Sequence, residues 1–427
     1  MNKHQNGQEN PKPQYITEED LKVILTKYGY VINEIKIKHY EVNLACENKM
    51  LGILADHLIL KVILISNNEQ KTLNFFIKAL PQDAVKALFV RSLNLFEKEL
   101  VFYQIIKSKM DLPGLKPWSS KLVANLDNAI VLDDLTSLQY QMRSKDIKFD
   151  VQHALEALRT LARFHAGSII YEETVTKNLN KPYRLGEEYG QYLDLAHFDK
   201  ANQWFIQCKT GALMVVKEYS KYKNADKDLL KIIEDRWSDV WNAALDYNDS
   251  ERSVICHRDL WNNNLLFHYK KREDGKLVPD DCVLVDFQAI TYQPPARDVM
   301  FLLHCNLERQ FRKENLNKLF EFYFDELKNI LLKYGIMVED IIPKDSFVRS
   351  AKEYNIWGLV VHASLVQVIG LDDNLMMKKF SEASQFEKVV SNDRTTYIRE
   401  MVQESEFYKR KIIMPLEEIV EDYILTN

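Results

Sequence analysis

Alternating apolar and polar residues dominate the first third of the chain and predict β-strands there. Between the strands, Phe96, Leu100 and Tyr103 recur at helical spacing and predict an amphipathic helix. The predicted elements are a helix over 17–29, strands over 35–46, 58–65 and 73–80, a helix over 95–110, and strands over 121–124 and 129–132. We therefore expect a small α+β unit that ends near Leu135.

From about Phe149 onward, apolar residues recur every three or four positions, which predicts helices. The predicted helices cover residues 151–170, 203–219, 227–244, 307–334, 348–368 and 393–411. The organisation predicted for the whole chain is α+β. It has a flexible tail over 1–15, a small mixed lobe over 16–135 and a large, mostly helical lobe over 136–427.

One stretch, residues 254–288, interrupts the helices with the pattern of a β-hairpin. Its apolar arms, Leu265–Tyr269 and Cys282–Phe287, flank the turn pair Asp274 and Gly275. A hairpin brings the residue before its first arm close to the residue after its second arm. Three polar residues should therefore meet at one end of it, namely Asp259, Asn264 and Asp286.

The chemistry of these three residues favours phosphoryl transfer. Two carboxylates and one amide oxygen suit a hard cation such as Mg²⁺, which binds phosphates and keeps several waters. Asp259 can also accept a proton from an attacking hydroxyl. Phosphoryl transfer needs this combination, because its catalysis is mostly positioning and charge neutralisation. The alternative is a metal-free polar loop beside a hairpin.

The same residues carry a family resemblance, in the segments CHRDLWNNN and LVDFQ. These segments resemble the ecdysteroid kinase-like (CHK kinase-like) family, in the aminoglycoside and choline phosphotransferase clan of the protein-kinase-like superfamily. The resemblance implies a two-lobed kinase-like fold, with ATP bound by the small lobe and substrate by the helical lobe. It also implies a catalytic role for Asp259 and Mg²⁺ ligation by Asn264 and Asp286.

Lys78 lies at the end of an apolar strand, and Glu99 on the next helix is placed to pair with it. By resemblance, Lys78 matches the strand lysine that contacts the ATP phosphates, and Glu99 matches the glutamate that holds that lysine. Glu97 is the competing candidate, but it fits the helix motif less well. The alternative for Lys78 is an ordinary surface lysine at the end of a strand.

Two further segments bear on the nucleotide. Residues 129–137 resemble the connector between lobes, which implies that adenine binds backbone groups near Asp133 and Leu135; the alternative is an edge strand that runs into a turn. Members of the clan often have glycines at the position of residues 48–55, but this segment contains a single glycine, Gly52. A simple turn there is as well supported as a phosphate contact.

Four residues near the motifs have structural as well as functional interpretations. We interpret His165 as packing behind the catalytic loop. Asp298 is either a helix cap or, by resemblance, the acid that braces this loop. Arg258 stands where the small-molecule branch of the clan commonly has glycine, which leaves the loop geometry open. Trp261 either lines the substrate site or packs in the core.

Composition and charge restrict the binding partners and the cellular compartment that we expect. The formal charge of −5 implies no polyanion, so no nucleic-acid partner is expected. Five scattered cysteines indicate a reducing compartment, and the polar start of the chain has no secretory pattern. No apolar run of about 18 residues occurs. We therefore expect a cytoplasmic protein without a membrane span, with a monomer favoured.

The leading functional hypothesis is an ATP- and Mg²⁺-dependent small-molecule kinase. By resemblance, its acceptor is a hydroxyl of an ecdysteroid, of a similar apolar alcohol or of a xenobiotic. The alternatives are a choline or aminosugar kinase, and a catalytically silent kinase fold that binds a ligand. The silent alternative rests on the glycine-poor loop. A protein kinase is disfavoured, because no D-F-G with a downstream A-P-E occurs.

Overall fold

The computed structural model describes most of the chain between Tyr15 and Leu425. The described residues are 15–47, 49–193, 202–225, 227–245, 251–380, 386, 388–389 and 394–425. The predicted flexible tail over 1–15 lies outside them, except for Tyr15. The Tyr15 hydroxyl donates a hydrogen bond to Asp56 Oδ2 at 3.0 Å, which ties this end of the described chain to the sheet.

A five-stranded antiparallel sheet forms the N-terminal part, as the alternating pattern predicted. Its strands are β1 (Ile35–Leu44), β2 (Asp56–Ser66), β3 (Glu69–Ala79), β4 (Leu122–Leu126) and β5 (Ala129–Asp133), in the order β1-β2-β3-β5-β4. Asn67 and Asn68 form the turn that connects β2 to β3, with φ angles of 53° and 63°. Asparagine tolerates this left-handed conformation, so the two long strands stay in register.

The helix Glu18–Tyr28 covers one face of the sheet and buries Leu21, Ile24 and Leu25. Thr17 and Asp20 form the predicted capping box, and Gly29 ends the helix at a φ of 109°. These local signals were sufficient to place the helix from sequence.

The predicted single helix over 95–110 has a different course. It runs as Leu95–Val101, continues through a wider π turn at Phe102–Ile106, and closes with Lys107–Met110. The π turn buries Phe102, whose ring stacks on Phe287 with centroids 4.3 Å apart. A further helix at Ala84–Ser92, absent from the sequence prediction, precedes it.

The C-terminal part is mostly helical, so the predicted α+β fold with a small sheet lobe and a large helical lobe is confirmed. Its helices are Val151–Leu179, Leu185–Glu188, Gly190–Leu193, Gln203–Glu218, Lys227–Leu245, Ala296–Asn306, Arg309–Lys333, Lys344–Glu353, Asn355–Ile369, Asp373–Phe380, Arg394–Glu404 and Glu406–Tyr423. The lobe boundary at residues 135/136 stays a prediction.

Two of the predicted helices are wrong as single elements. The segment over 348–368 breaks at Tyr354, where the Arg297 guanidinium lies 4.6 Å from the ring centroid. The segment over 393–411 breaks at Ser405, whose side chain accepts a hydrogen bond from the Tyr408 amide at 3.2 Å and so starts a new helix. Asp393 itself lies outside the described residues.

Short strands carry the central motif into the helical lobe. They are β6 (Gln141–Met142), β7 (Val254–Cys256), β8 (Leu265–Lys271), β9 (Leu277–Leu284) and β10 (Thr291–Gln293). The β8–β9 hairpin pairs with β6, and β7 pairs with β10. The helix Val151–Leu179 packs behind both pairs, so the hairpin ends face the sheet lobe across a cleft.

The part of the chain that the structure describes contains no single helix long and apolar enough to cross a membrane. The helices Asn355–Ile369 and Asp373–Phe380, bent by 70° at their junction, meet that test only when they are taken together.

Candidate active site

The hairpin brings its polar end residues together. Leu265 pairs with Leu284, and the Val285 amide donates to the Asn264 carbonyl at 3.1 Å. The Asn264 side-chain amide donates to Asp259 twice, to the backbone carbonyl and to Oδ2, both at 2.8 Å. Asp286 follows directly after Val285, so the three predicted residues lie at one end of the hairpin.

The predicted second arm, 282–287, is corrected at its end. Strand β9 stops at Leu284, because Asp286 adopts a left-handed φ of 69° that an extended strand does not allow. Because of this turn, the Asp286 side chain does not follow the alternation of β9. Its carboxylate enters the cleft between the lobes and lines the cavity described below.

Lys78 bridges the two lobes through ion pairs. Its Nζ lies 2.5 Å from Glu99 Oε2 and 2.5 Å from Asp286 Oδ1. Burial would lower the pKa of Lys78, but the carboxylates of Asp286 and Glu99 outweigh it and raise that pKa above its ordinary value. Glu99 is 1% exposed and also accepts from the Phe287 amide at 3.1 Å, whereas Glu97 faces solvent. The geometry therefore favours Glu99 as the partner.

Asp259 has the electrostatics of a proton acceptor. Burial, followed by the Asp286 carboxylate, raises its pKa to about 7, although the hydrogen bond from Asn264 opposes the shift. A carboxyl group with a pKa near neutrality is ionised often enough to accept a proton, and it is basic enough to hold one. This residue is only partly exposed, and it lies in the loop between β7 and β8.

A buried carboxylate behind the loop holds its backbone. Asp298 is 0% exposed and accepts from the amides of His257 at 2.5 Å and Arg258 at 2.9 Å. Its third partner is His165 Nε2 at 3.2 Å, and His165 Nδ1 lies 2.6 Å from the Tyr323 hydroxyl. Burial would raise the pKa of Asp298, but these hydrogen bonds hold it below the usual value. Of the two interpretations of Asp298, the geometry favours the brace.

Arg258 occupies a position that suits glycine. Its φ is 67°, in the left-handed region, where a side chain with a Cβ costs about 1 kcal/mol. The side chain is buried, donates to Gln293 Oε1 at 3.1 Å and places its guanidinium 4.6 Å from the Trp357 ring centroid. These contacts hold the loop in the conformation that glycine would adopt freely, which resolves the question that the sequence left open.

We expect Asp298→Asn to destabilise the fold. The amide keeps one acceptor oxygen but turns an NH₂ group toward a backbone donor, and an unsatisfied buried group of this kind costs about 2–4 kcal/mol. Urea denaturation of purified protein measures the loss. Asp345→Asn is the matched control, because Asp345 also lies in the first turn of a helix but is exposed. Equal losses in the two variants would contradict the bracing role.

A cavity of about 610 Å³ lies between the sheet and the hairpin. Lys78, Glu99, Asn264 and Asp286 line it from the inner end, and the predicted connector lines it from the other side. The volume falls within the range of small-molecule sites. The predicted nucleotide and metal residues thus line one cavity.

At the connector, Asp133 and Leu135 line the cavity, and their contact with adenine stays a prediction. The Leu135 carbonyl accepts from the Leu138 amide at 3.1 Å, whereas the Leu135 N–H has no acceptor among the described residues. Asp134 shapes this segment by accepting from the Thr136 amide at 2.9 Å. A free backbone donor at the cavity wall suits the edge of an adenine ring.

The segment between β1 and β2 closes the cavity, but its backbone does not use the conformational freedom that glycine provides. Gly52 is not in the left-handed region, and a Cβ on it would meet the His57 ring at 3.1 Å. The His57 ring therefore leaves little room for a side chain at this position. Leu51 is tied to the catalytic loop by a hydrogen bond from Asn263 Nδ2 to its carbonyl at 3.3 Å. Asn48 lies outside the described residues.

The cavity residues that sequence reasoning missed include His57 and Lys49. His57 stands directly opposite Lys78 in the β2–β3 ladder, and both side chains line the cavity. Burial, reinforced by the Lys78 charge, lowers the pKa of His57 to about 4, so the ring is neutral at physiological pH. The strand alternation already separates His57 from the buried Leu58 and could have placed it in the cleft.

The donor set at the inner end fits Mg²⁺. Asn264 uses its Nδ2 for Asp259, which leaves the amide oxygen Oδ1 without a donor among the described residues. Asp286 supplies a carboxylate whose pKa is lowered, because the attraction of Lys78 outweighs burial, so it is ionised at neutral pH. Hard oxygen ligands of this kind, beside a phosphate-sized space, suit Mg²⁺ better than a soft metal.

The family comparison matches most of the chain. A family model described as the ecdysteroid kinase-like family matches residues 57–336, a range that contains Lys78, Glu99, Asp259, Asn264 and Asp286. No curated protein matches the chain significantly.

Solved structures give a weaker comparison. The streptomycin–ATP–APH(2")-IIa ternary complex is 13% identical with a TM-score of 0.35, and the match covers 89% of this chain and 98% of that chain. Choline kinase LicA from Streptococcus pneumoniae is 13% identical with a TM-score of 0.33, and the match covers 78% of this chain and 98% of that chain. At these TM-scores, no residue role is transferred from either protein.

Proposed function

Because this chain belongs to the ecdysteroid kinase-like family, we propose that it is an ATP- and Mg²⁺-dependent kinase that phosphorylates a hydroxyl of a small molecule. One observation carries the proposal. The Lys78 ammonium, the Asp286 carboxylate and Asn264 line one end of a cavity large enough for a nucleotide, and the Asn264 amide donates to Asp259 Oδ2. Phosphoryl transfer needs these groups together.

Each of these residues has its own role in the proposed reaction. Lys78, held by Glu99, binds the phosphates that enter the cavity, while the connector orients the adenine through the Leu135 N–H. Asn264 and Asp286 would hold Mg²⁺, which when bound neutralises phosphate charge. Asp259 orients the acceptor hydroxyl and takes up its proton as the phosphoryl group is transferred. Asp298 keeps the loop rigid, so these distances are set before substrate arrives.

For the acceptor, we propose an ecdysteroid or a similar apolar alcohol rather than choline or an aminosugar. The family description supports the first class. Cationic acceptors call for an acidic site, and the chain has no dense acidic block. The silent, ligand-binding alternative is disfavoured because Lys78, Asp259, Asn264 and Asp286 are all present and lie close together.

The test is a product screen with purified protein, ATP and Mg²⁺, read by mass spectrometry. The panel contains ecdysteroids, plant phenolics, choline and kanamycin-like aminosugars. We expect a phosphorylated product from the first two classes and none from the cationic ones. Phosphorylated choline or aminosugar alone would overturn the acceptor class. Binding of Mg²⁺ and ATP without any product across a broad alcohol panel would instead favour the silent alternative.

A further inference from the structure

A second cavity, of about 280 Å³, lies in the helical lobe beside the catalytic loop; we call it the basic pocket. Trp261 and Asn262 of the loop form one side of it, and helices from the C-terminal half form the others. Its cationic side chains are Lys145, Lys148, Arg309, Arg312, Arg410 and Lys411. Only half as many acidic side chains line it, namely Asp146, Glu308 and Glu418.

Most of these cations belong to the scaffold, because carboxylates already neutralise them. The pairs are Lys145 with Asp373, Lys411 with Asp146, Arg309 with Asp422, and Arg312 with Glu418. Such pairs hold the walls of the pocket in place. They leave less charge available for a ligand than the composition of the pocket suggests.

Two of the six cations, Arg410 and Lys148, have no such pair among the described residues; Arg410 is exposed, whereas Lys148 is partly buried. Its Nζ donates to the Cys305 carbonyl at 2.8 Å, and within the described part of the chain no carboxylate lies within 4.0 Å of it. Burial lowers its pKa to about 8; Cys305 and the Glu308 carboxylate oppose this shift, whereas the charges of Lys411 and Arg312 reinforce it. A lysine held near like charges in a recess is costly unless an anion joins it, and an ammonium group has donors to spare for one.

The pocket adjoins the proposed site of chemistry. Trp261 and Asn262 follow Asp259 by two and three residues, and the Asp259 charge acts on Cys305, another residue of the pocket wall. Asn262 is anchored by its Nδ2, which donates to the Arg143 carbonyl at 2.7 Å. The two cavities share no wall residue, but the loop contributes Asn263 to the nucleotide cavity and the adjacent Asn262 to the basic pocket, so both cavities adjoin the same loop.

Apolar groups complete the wall. They include Trp261, Leu307, Val366, Ile369, Phe407 and Met414. A ligand that suits both kinds of wall has an apolar body and an anionic end. The excess of cationic side chains in the wall disfavours a quaternary ammonium or a polyamine.

We propose that the basic pocket binds the acceptor through an oxyanion, so that the preferred acceptor is an apolar alcohol that also carries an acidic group, with Lys148 as the residue that recognises it. This inference rests on the proposed kinase function and refines its substrate class: among apolar alcohols, it favours those with an acidic group over neutral ones such as ecdysteroids. In this arrangement, Lys148 fixes the acid of the acceptor, Trp261 contacts its apolar body, and the hydroxyl reaches Asp259.

The test uses matched acids and amides, so that charge is the only large difference between the ligands. The probes are cholic acid with cholamide, and vanillic acid with vanillamide. Binding is measured by calorimetry in the presence of Mg²⁺ and a non-hydrolysable ATP analogue, which needs no turnover. We expect each acid to bind at least about tenfold more tightly than its amide, with a difference that shrinks as salt is added.

Lys148→Met keeps the length of the side chain and removes its charge, so the preference for the acid over the amide should disappear. Lys328→Met is the matched control, because Lys328 is exposed on the helix Arg309–Lys333 and lies outside the pocket. If Lys148→Met does not fold, the salt dependence of the wild-type preference decides instead. Equal binding of acid and amide by the wild type, or an acid preference that survives in Lys148→Met, overturns the proposal.

The same probes separate this inference from the kinase proposal. Phosphorylation of both amides as efficiently as of the acids would leave the kinase standing and remove the anionic subsite. Tight, Lys148-dependent binding of the acids with no phosphoryl transfer would keep the subsite and remove the kinase. Sulfated analogues of the same alcohols show whether the pocket reads a carboxylate in particular or any oxyanion.

Discussion

Asp259→Asn is expected to lower kcat by on the order of a thousandfold, because the amide cannot accept the proton of the attacking hydroxyl. The substitution leaves the loop intact. Its carbonyl oxygen can still accept from the Asn264 amide, which donates to Asp259 Oδ2 at 2.8 Å. ATP affinity should therefore stay near the wild-type value, since the residues proposed to bind nucleotide are unchanged. Steady-state kinetics and nucleotide calorimetry measure the two effects separately.

The control for this variant is Asp274→Asn, which removes one carboxylate from the exposed tip of the same hairpin. It should leave both kcat and ATP affinity unchanged. Near-normal turnover by Asp259→Asn would refute the assignment of Asp259 as the proton acceptor. A parallel fall in ATP affinity would point to a disturbed loop instead.

Asp286→Ala is expected to abolish Mg²⁺-dependent nucleotide binding, and to do so more severely than Asn264→Ala. Both variants lose an oxygen ligand, but only Asp286→Ala also removes a formal charge from the site. One unit charge next to a cation is worth several kcal/mol at protein-like screening, which is on the order of a hundredfold or more in affinity. Titration of Mg²⁺ into each variant, with ATP present, compares them.

Backbone strain has to be separated from charge in this experiment, because Asp286 has a φ of 69°. Alanine tolerates that conformation poorly, whereas asparagine adopts it more readily. Asp286→Asn therefore keeps the backbone and the shape but loses the charge. We expect it to resemble Asp286→Ala in metal affinity. Wild-type metal affinity in either Asp286 variant would rule out the proposed ligand role.

The sequence was sufficient to locate those parts of the site whose residues lie close together along the chain. The hairpin spans fewer than thirty residues, and its Asp-Gly turn is a strong local signal. The pairing of Lys78 with Glu99 also crosses only 21 residues. Alternation and turn chemistry were enough to suggest the hairpin contacts, whereas the choice of Glu99 over Glu97 as the partner of Lys78 rested on the family resemblance.

The sequence did not reveal the helix breaks and the loop conformation that depend on packing between distant parts of the chain. The breaks at Tyr354 and Ser405 fall inside segments that keep helical spacing throughout, so periodicity alone did not reveal them. At Arg258, the sequence showed an unexpected residue but not its left-handed backbone. The contacts of Arg258 with Gln293 and Trp357, which support that conformation, join parts of the chain that no local pattern connects.

The sequence by itself determined the α+β organisation, the strands of the small lobe and the polar end of the hairpin, because strand alternation, helix spacing and turn residues act over a few positions. Only the tertiary structure decided that Lys78 reaches Asp286, 208 positions away, and that Asp298 holds the amides of the loop. The basic pocket likewise gathers side chains from Lys145 to Glu418. The physical reason is that such contacts depend on how buried helices and strands pack against one another, which residue spacing along the chain does not specify.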